Sequence, residues 1–172
     1  MRLIIVSGRS GSGKSTVGLK LYDYLKKDHE NLVFLDGDIL REVWADNLGH
    51  TVESRSVNAT RISKLCEMLD NQGIHIIASV MHMFPDWQDW YRKTFSVYFE
   101  VFLDVPFEVL RQRDKNGLYS QAEAGTVTDV VGIDFPFPKP EKSEVVFRGN
   151  DSHLSPDEMV ERIVAALPLP LK

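Results

Sequence analysis

The stretch GRSGSGKST, Gly8 to Thr16, directly follows the apolar run LIIVS (3–7) and leads into STVGLKLYDYLKK (15–27), which is compatible with a helix. Gly8, Gly13, Lys14 and Ser15 satisfy the spacing G-x-x-x-x-G-K-[ST], which signals a phosphate cradle only when a strand enters it and a helix leaves it. Both flanks meet that condition. Glycines let the backbone curl so that main-chain N–H groups and the positive end of the following helix converge on phosphate oxygens. Lys14 adds a point charge, and the Ser15 hydroxyl can ligate Mg²⁺. Gly8, Ser10, Gly11, Ser12, Gly13, Lys14, Ser15 and Thr16 are therefore the expected binding residues for a nucleoside triphosphate, ATP in the first instance, with Mg²⁺ on Ser15. The loop does not encode the base, and the N-K-x-D segment by which GTPases read guanine is absent from the sequence. A small-molecule kinase is the leading class.

Outward from this loop, short apolar runs recur at 2–7, 32–36, 74–79, 98–105 and 144–148, with helical periodicity over 14–27, 54–72 and 156–166. Such alternation predicts a parallel sheet with helices on both faces, and strands that are apolar throughout fit a sheet buried on both sides. The expected fold class is α/β, a three-layer P-loop NTPase fold with a five-stranded parallel sheet. At 172 residues the chain fits one kinase domain, 1–172. The segment 114–141, rich in Gly, Pro, Thr and acidic residues, is long for a connection. It reads as a lid over the site or as a flexible surface excursion.

Apolar residues make up 43% and charged residues 26% of the chain, and the net charge of −5 gives no reason to expect nucleic acid as a partner. A polyanionic ligand needs a local basic pocket. No apolar run approaches the roughly 18 to 20 residues that span a bilayer, and no charged leader precedes a cleavable segment, so the expectation is a cytoplasmic protein with no membrane partner. The single cysteine, Cys66, lies at helical spacing with Ile62, Leu65 and Leu69, which favours core packing over reactivity.

A second anion site is suggested downstream. LDGDILR (35–41) places Asp36 and Asp38 at the carboxyl edge of the predicted sheet, where ligands bind in open α/β folds. Asp36 is the candidate for orienting or deprotonating an acceptor hydroxyl, and with Lys14 it makes the expected catalytic pair; an acidic turn cap is the alternative. In ESRSVNATRIS (53–63), Arg55, Asn58 and Arg61 follow at steps of three, which suggests one helical face and an anion clamp, or simply solvated surface charge.

The blocks GRSGSGKST, LDGDILR, SRSVNATRIS, YFEVFLDVPFEVLRQRD, NGLYSQAEAG and GIDFPFPKP, running in order over residues 3–147, resemble the adenylylsulfate (APS) kinase family. The resemblance implies a P-loop kinase fold that transfers the γ-phosphoryl group of ATP to the ribose 3′-hydroxyl of adenosine 5′-phosphosulfate. It assigns Asp38, Arg41, Arg55, Asn58, Arg61 and Ser79 to the acceptor side along with Asp36, and Arg113 to the ATP side. Lys115, Gly117 and Leu118 fall to the substrate lid. It also implies a homodimer.

The chain departs from that pattern on the acceptor side. Two phenylalanines that sandwich the acceptor adenine in the family, in LGF and FTG segments, are replaced by His50 in LGH and Val130 in VVG. A stacking platform worth about 1–3 kcal/mol per base is thereby weakened. The family's ISP reads MHM, with His82 at its centre as a candidate contact to an acidic acceptor group or a histidine bonded to backbone; DPKGLY reads DKNGLY, and SPYE reads FPFP. Changes confined to one pocket suggest shifted specificity, or drift around an unchanged substrate. Cytidine 5′-diphosphoramidate, which relatives of the family phosphorylate in bacterial capsule polysaccharide modification, has a smaller base and is the expected alternative acceptor. A sugar-type metabolite kinase and a non-catalytic nucleotide-binding regulator remain as rivals.

Overall fold

The computed structural model describes residues 3–44, 48–151 and 153–168, the side chains of Lys115 and Asn150 excepted. Strand β1 (Leu3–Gly8) is buried at every position and runs straight into the glycine loop, from which helix α1 (Lys14–Leu25) departs. There follow β2 (Leu32–Asp36), α2 (Gly37–Val43), α3 (Val52–Asn71), β3 (His75–Val80) and α4 (Pro85–Thr94). Then come β4 (Tyr98–Leu103), α5 (Phe107–Arg113), α6 (Leu118–Glu123), β5 (Val145–Phe147) and α7 (Pro156–Ala166).

The five strands pair in the order β2-β3-β1-β4-β5, and every pairing is parallel. The chain thus places β2 and then β3 on one side of β1, with β3 next to it, and β4 and β5 on the other. At such a switch point the connections leave toward opposite faces and open a crevice at the carboxyl ends of the strands. The glycine loop, Asp36 and the residues after β3 all meet at that edge.

Alternate side chains of β1 explain why its sequence shows no polar face. Ile4 and Val6 pack with Leu21 of α1 and Ile163 of α7, while Leu3 and Ile5 pack with Ile62 and Cys66 of α3 and Tyr91 of α4. Cys66 is fully buried there, and burial pushes its thiol up to about 12, which fits packing rather than reactivity. Helix α7 starts with a capping box between Ser155 and Glu158.

The expected β5 shrinks to three residues, and α2, α5 and α6, at six or seven residues each, are too short for periodicity to reveal. Segment 114–141 is packed along its length. Tyr119, Ala122 and Val130 form a small core with Leu110, Phe137 stacks on Phe102 at 5.9 Å, and Lys139 pairs with Asp104 at 2.8 Å. Among the described residues no helix is long and apolar enough to cross a membrane.

Candidate active site

The phosphate loop owes its shape to its glycines. Gly11 and Gly13 hold φ of 76° and 95°, a region that side chains with a Cβ avoid, and Gly13 is the residue from which α1 starts. A Cβ on Gly8 would come within 2.5 Å of Ser12 Oγ. The Ser12 hydroxyl is buried with no hydrogen-bond partner among the described residues.

Neighbouring elements clamp this loop. Ser79, at the end of β3, donates its hydroxyl proton to the carbonyl of Lys14 at 2.9 Å, an approach that leaves no room for a Cβ on Gly18. Tyr119 donates from its phenol to the carbonyl of Ser10 at 2.8 Å, and Arg113 Nη1 donates to the carbonyl of Gly11 at 3.2 Å. The 114–141 segment therefore reaches the loop through its first helix. Asp114 caps that helix by accepting from the N–H groups of Tyr119 (2.8 Å) and Ser120 (3.3 Å).

Two pockets flank the loop. On one side Ser12, Gly13, Thr16 and Arg113 line a pocket floored by Val17, Leu103 and Phe147. Arg148, Gly149 and Asp151 complete it; they follow β5, and no motif in the sequence marks them. On the other side Ser10 and Lys14 share a pocket with Asp38, Arg41, His50, Arg55, Asn58, Ser79 and His82. The glycine loop thus stands between two pockets, and Lys14 lines the second. Ser15 is half-buried in the first turn of α1.

The second pocket is basic at its mouth and apolar at depth. Arg41 donates to the carbonyls of Leu48 and Gly49 at 3.2 Å each. Arg55 is held by the carbonyls of His50 (2.8 Å) and Asp129 (2.9 Å), by the Phe135 ring at 5.8 Å, and by Met81 Sδ at 4.0 Å from Nη1. Burial, and after it the nearby Arg41 guanidinium, hold Arg55 below its ordinary pKa, partly offset by Asp129 and Asp38. Two cations brought together in this way are relieved by an anion placed between them. Met83, Trp87 and Tyr91 line the deeper wall. Trp87 and Tyr91 of α4 therefore pack in the cluster between the sheet and α3 and border the pocket as well.

Four expected residues lie elsewhere. Arg61 does not join the clamp; its guanidinium stacks over Trp44 at 5.8 Å. Steps of three drift by about 60° each on a helix, so Arg61 projects about 120° away from Arg55. Val130 faces the small core beneath the segment and is 3% exposed, so it does not line the pocket. Gly117 (φ 68°) and Leu118 start α6 and line neither pocket. The side chain of Lys115 lies outside the described residues.

Asp36 is 7% exposed, and its Oδ1 accepts from the N–H groups of Asp38 (2.9 Å) and Ile39 (3.4 Å). It is the N-cap of α2. The cap fixes a carboxylate at the sheet edge beside Gly37 and Asp38, both of which line the pocket. Among the described residues no three His, Cys, Asp or Glu side chains gather as a metal cage. The oxygen donors at this edge, Ser15, Asp36 and Asp38, suit Mg²⁺, which keeps phosphates and waters as most of its ligands.

His82 and Glu100 form a buried pair behind the pocket. His82 Nδ1 lies 2.9 Å from Glu100 Oε1, and the two side chains are 5% and 0% exposed. Glu100, in the middle of β4, also meets Arg92 at 3.4 Å and Ser7 Oγ at 3.4 Å, and its N–H donates to Glu144 at 2.6 Å. Its one sign in the sequence is a carboxylate inside the apolar run YFEVFLDV.

Comparison with known proteins agrees with this geometry. Residues 2–148 match the family model described as adenylylsulphate kinase. A cytidine diphosphoramidate kinase of Campylobacter jejuni is 36% identical over 170 residues, covering 97% of this chain and 96% of that protein. An adenylyl-sulfate kinase of Gloeothece citriformis is 34% identical over 164 residues, covering 95% and 92%. Among solved structures, the APS kinase of Mycobacterium tuberculosis in complex with AMPPNP and APS superposes with a TM-score of 0.85 at 29% identity, covering 96% of each chain.

Proposed function

The chain belongs to the adenylylsulphate kinase family and is a phosphotransferase with a hydroxyl acceptor, and from that premise we propose that it transfers the γ-phosphoryl group of ATP to the ribose 3′-hydroxyl of cytidine 5′-diphosphoramidate. One observation carries the choice of acceptor. Where the family resemblance calls for two phenylalanine rings, His50 stands at the pocket and Val130 is buried away from it, so neither ring of that purine sandwich is present at its family position. The 36% identity to a cytidine diphosphoramidate kinase supports the same reading.

ATP would lie with its phosphates on Gly8 to Thr16 and its nucleoside end toward Arg113 and Arg148. Mg²⁺, held by the phosphates and the Ser15 hydroxyl, would neutralise charge on the β- and γ-phosphates when bound. The acceptor would enter the opposite pocket with its charged 5′ end against Arg41 and Arg55 and its 3′-hydroxyl near Asp36. As the acceptor oxygen bonds to the γ-phosphorus, the bond to the β,γ-bridging oxygen breaks, the hydroxyl proton passes to the Asp36 carboxylate, and ADP leaves. Lys14 stabilises the charge on the transferring group, and the closed 114–141 segment keeps water out.

Mass spectrometry of ATP incubated with a panel of nucleoside 5′-phosphosulfates and 5′-diphosphoramidates tests the reading. We expect the highest kcat/KM for cytidine 5′-diphosphoramidate. A far higher value for adenosine 5′-phosphosulfate would overturn it.

A further inference from the structure

The acceptor pocket contains polar atoms that the transfer chemistry does not use. His82 lines it, and its Nδ1 is engaged by Glu100 at 2.9 Å. A carboxylate only accepts, so the bond calls for a proton on Nδ1, and in the imidazole tautomer that this selects the lone pair is on Nε2. Glu100 is held in place, because its carboxylate also accepts from the Ser7 hydroxyl and from Arg92 Nη2. The Tyr91 ring packs edge-on against the imidazole at 5.2 Å.

His82 Nε2 is buried and has no hydrogen-bond partner among the described residues. The same holds for Asn58 Oδ1, and Asn58 lines the same pocket, 8% exposed. Buried acceptors of this kind are costly unless a donor reaches them, and bulk water does not. Their place in the pocket is also informative. Arg55, the cation expected to meet the charged 5′ end of an acceptor, touches Met81, the residue next to His82. A group that satisfies His82 therefore belongs to that charged end.

We propose that His82 Nε2, oriented by Glu100 and aided by Asn58 Oδ1, accepts a hydrogen bond from the N–H group of a terminal amidate, and so selects a P–NH₂ end over a P–O⁻ or sulfate end. His82 is then a specificity-determining residue and Glu100 the positioning residue behind it. The proposal rests on the reading of the acceptor as a nucleoside 5′-diphosphoramidate, and it gives that reading a physical basis. Sulfate and phosphate ends offer only acceptors, which would face the Nε2 lone pair unfavourably.

The test compares cytidine 5′-diphosphoramidate with CDP, which differ only in the atom on the terminal phosphorus, using full-length enzyme, ATP and detection of 3′-phosphorylated product. Wild type should favour the amidate by about tenfold or more in kcat/KM. His82→Asn keeps a polar atom near Nδ1 for Glu100 but withdraws Nε2, and should reduce that ratio about tenfold, through KM. His82→Gln returns a polar atom near the Nε2 position and should restore much of it. Glu100→Gln permits the opposite tautomer and should also lower the ratio, while AMPPNP binding confirms that each variant is folded. An unchanged ratio in folded His82→Asn overturns the inference. So does a wild type that takes both compounds equally well, which leaves the cytidine reading intact; a wild type that uses adenosine 5′-phosphosulfate and neither cytidine compound overturns both.

Discussion

At the glycine loop the shape of the crevice is set by backbone turns, whereas the pocket beside it is lined by side chains from α2, α3 and the residues after β3. The first kind of site recognises phosphate and little else, since every residue carries the same amide. It is also intolerant, because Gly8, Gly11 and Gly13 are each required by close approach or by positive φ. The second kind can be retuned one side chain at a time without disturbing the sheet. Shared chemistry with divided acceptor choice, as between the cytidine diphosphoramidate and adenylyl-sulfate kinases that this chain resembles, fits that division.

The largest effect is expected where the two regions meet. Lys14 belongs to the loop yet lines the acceptor pocket, so Lys14→Ala should lower kcat about 1,000-fold in a steady-state assay while the melting temperature stays put. Turnover near wild type would mean that backbone amides alone stabilise the transferring phosphoryl group. Asp36→Asn comes next and separates two roles. Asn caps a helix as well as Asp does, so the variant keeps α2 but loses the charge, and kcat should drop about 100-fold with ATP affinity little changed. If only KM for the acceptor moves, Asp36 is a cap that shapes the pocket and no more.

The same contrast explains what could be read from sequence. Nine contiguous residues, Gly8 to Thr16, were enough to place the glycine loop between β1 and α1, because a loop shaped by its own backbone is local. Strands β1, β3 and β4 were legible because both of their faces are buried and their sequences are mainly apolar, and the half-buried edge strand β2 because it is a short apolar run. The acceptor site was legible only in part. Arg55 and Asn58 meet in the pocket, but Arg61 misses it through the phase of the helix, and the inward turn of Val130 is set by Leu110 and Tyr119, which lie apart from it in sequence. Arg148 and Asp151 join the triphosphate pocket only because β5 lies beside β4, a pairing that no local pattern announces.

Replacing the two arginines of α3 sharpens the contrast within the acceptor side. Arg55→Ala should raise KM for the acceptor about thirtyfold, since it removes a partly buried cation from an anion site. Arg61→Ala, outside the pocket and stacked on Trp44, should change KM by less than about threefold. Equal effects would restore the three-residue clamp and require α3 to rotate when the acceptor binds.

Tyr119→Phe should give the smallest effect and tests whether the two regions are mechanically joined. The Tyr119 phenol reaches from the 114–141 segment to the Ser10 carbonyl at 2.8 Å, and its ring is 1% exposed against Phe107. Removing the hydroxyl leaves the ring packed and deprives the loop of one donor, a loss of about 1 kcal/mol. For a chain of this size the melting temperature should fall by about 2–4 °C. AMPPNP should then bind about two- to threefold more weakly, because part of its binding energy must re-form the loop. If stability falls and AMPPNP binding does not, the glycine turns and the Ser79 bond hold the phosphate loop without help, and the segment closes over the acceptor alone.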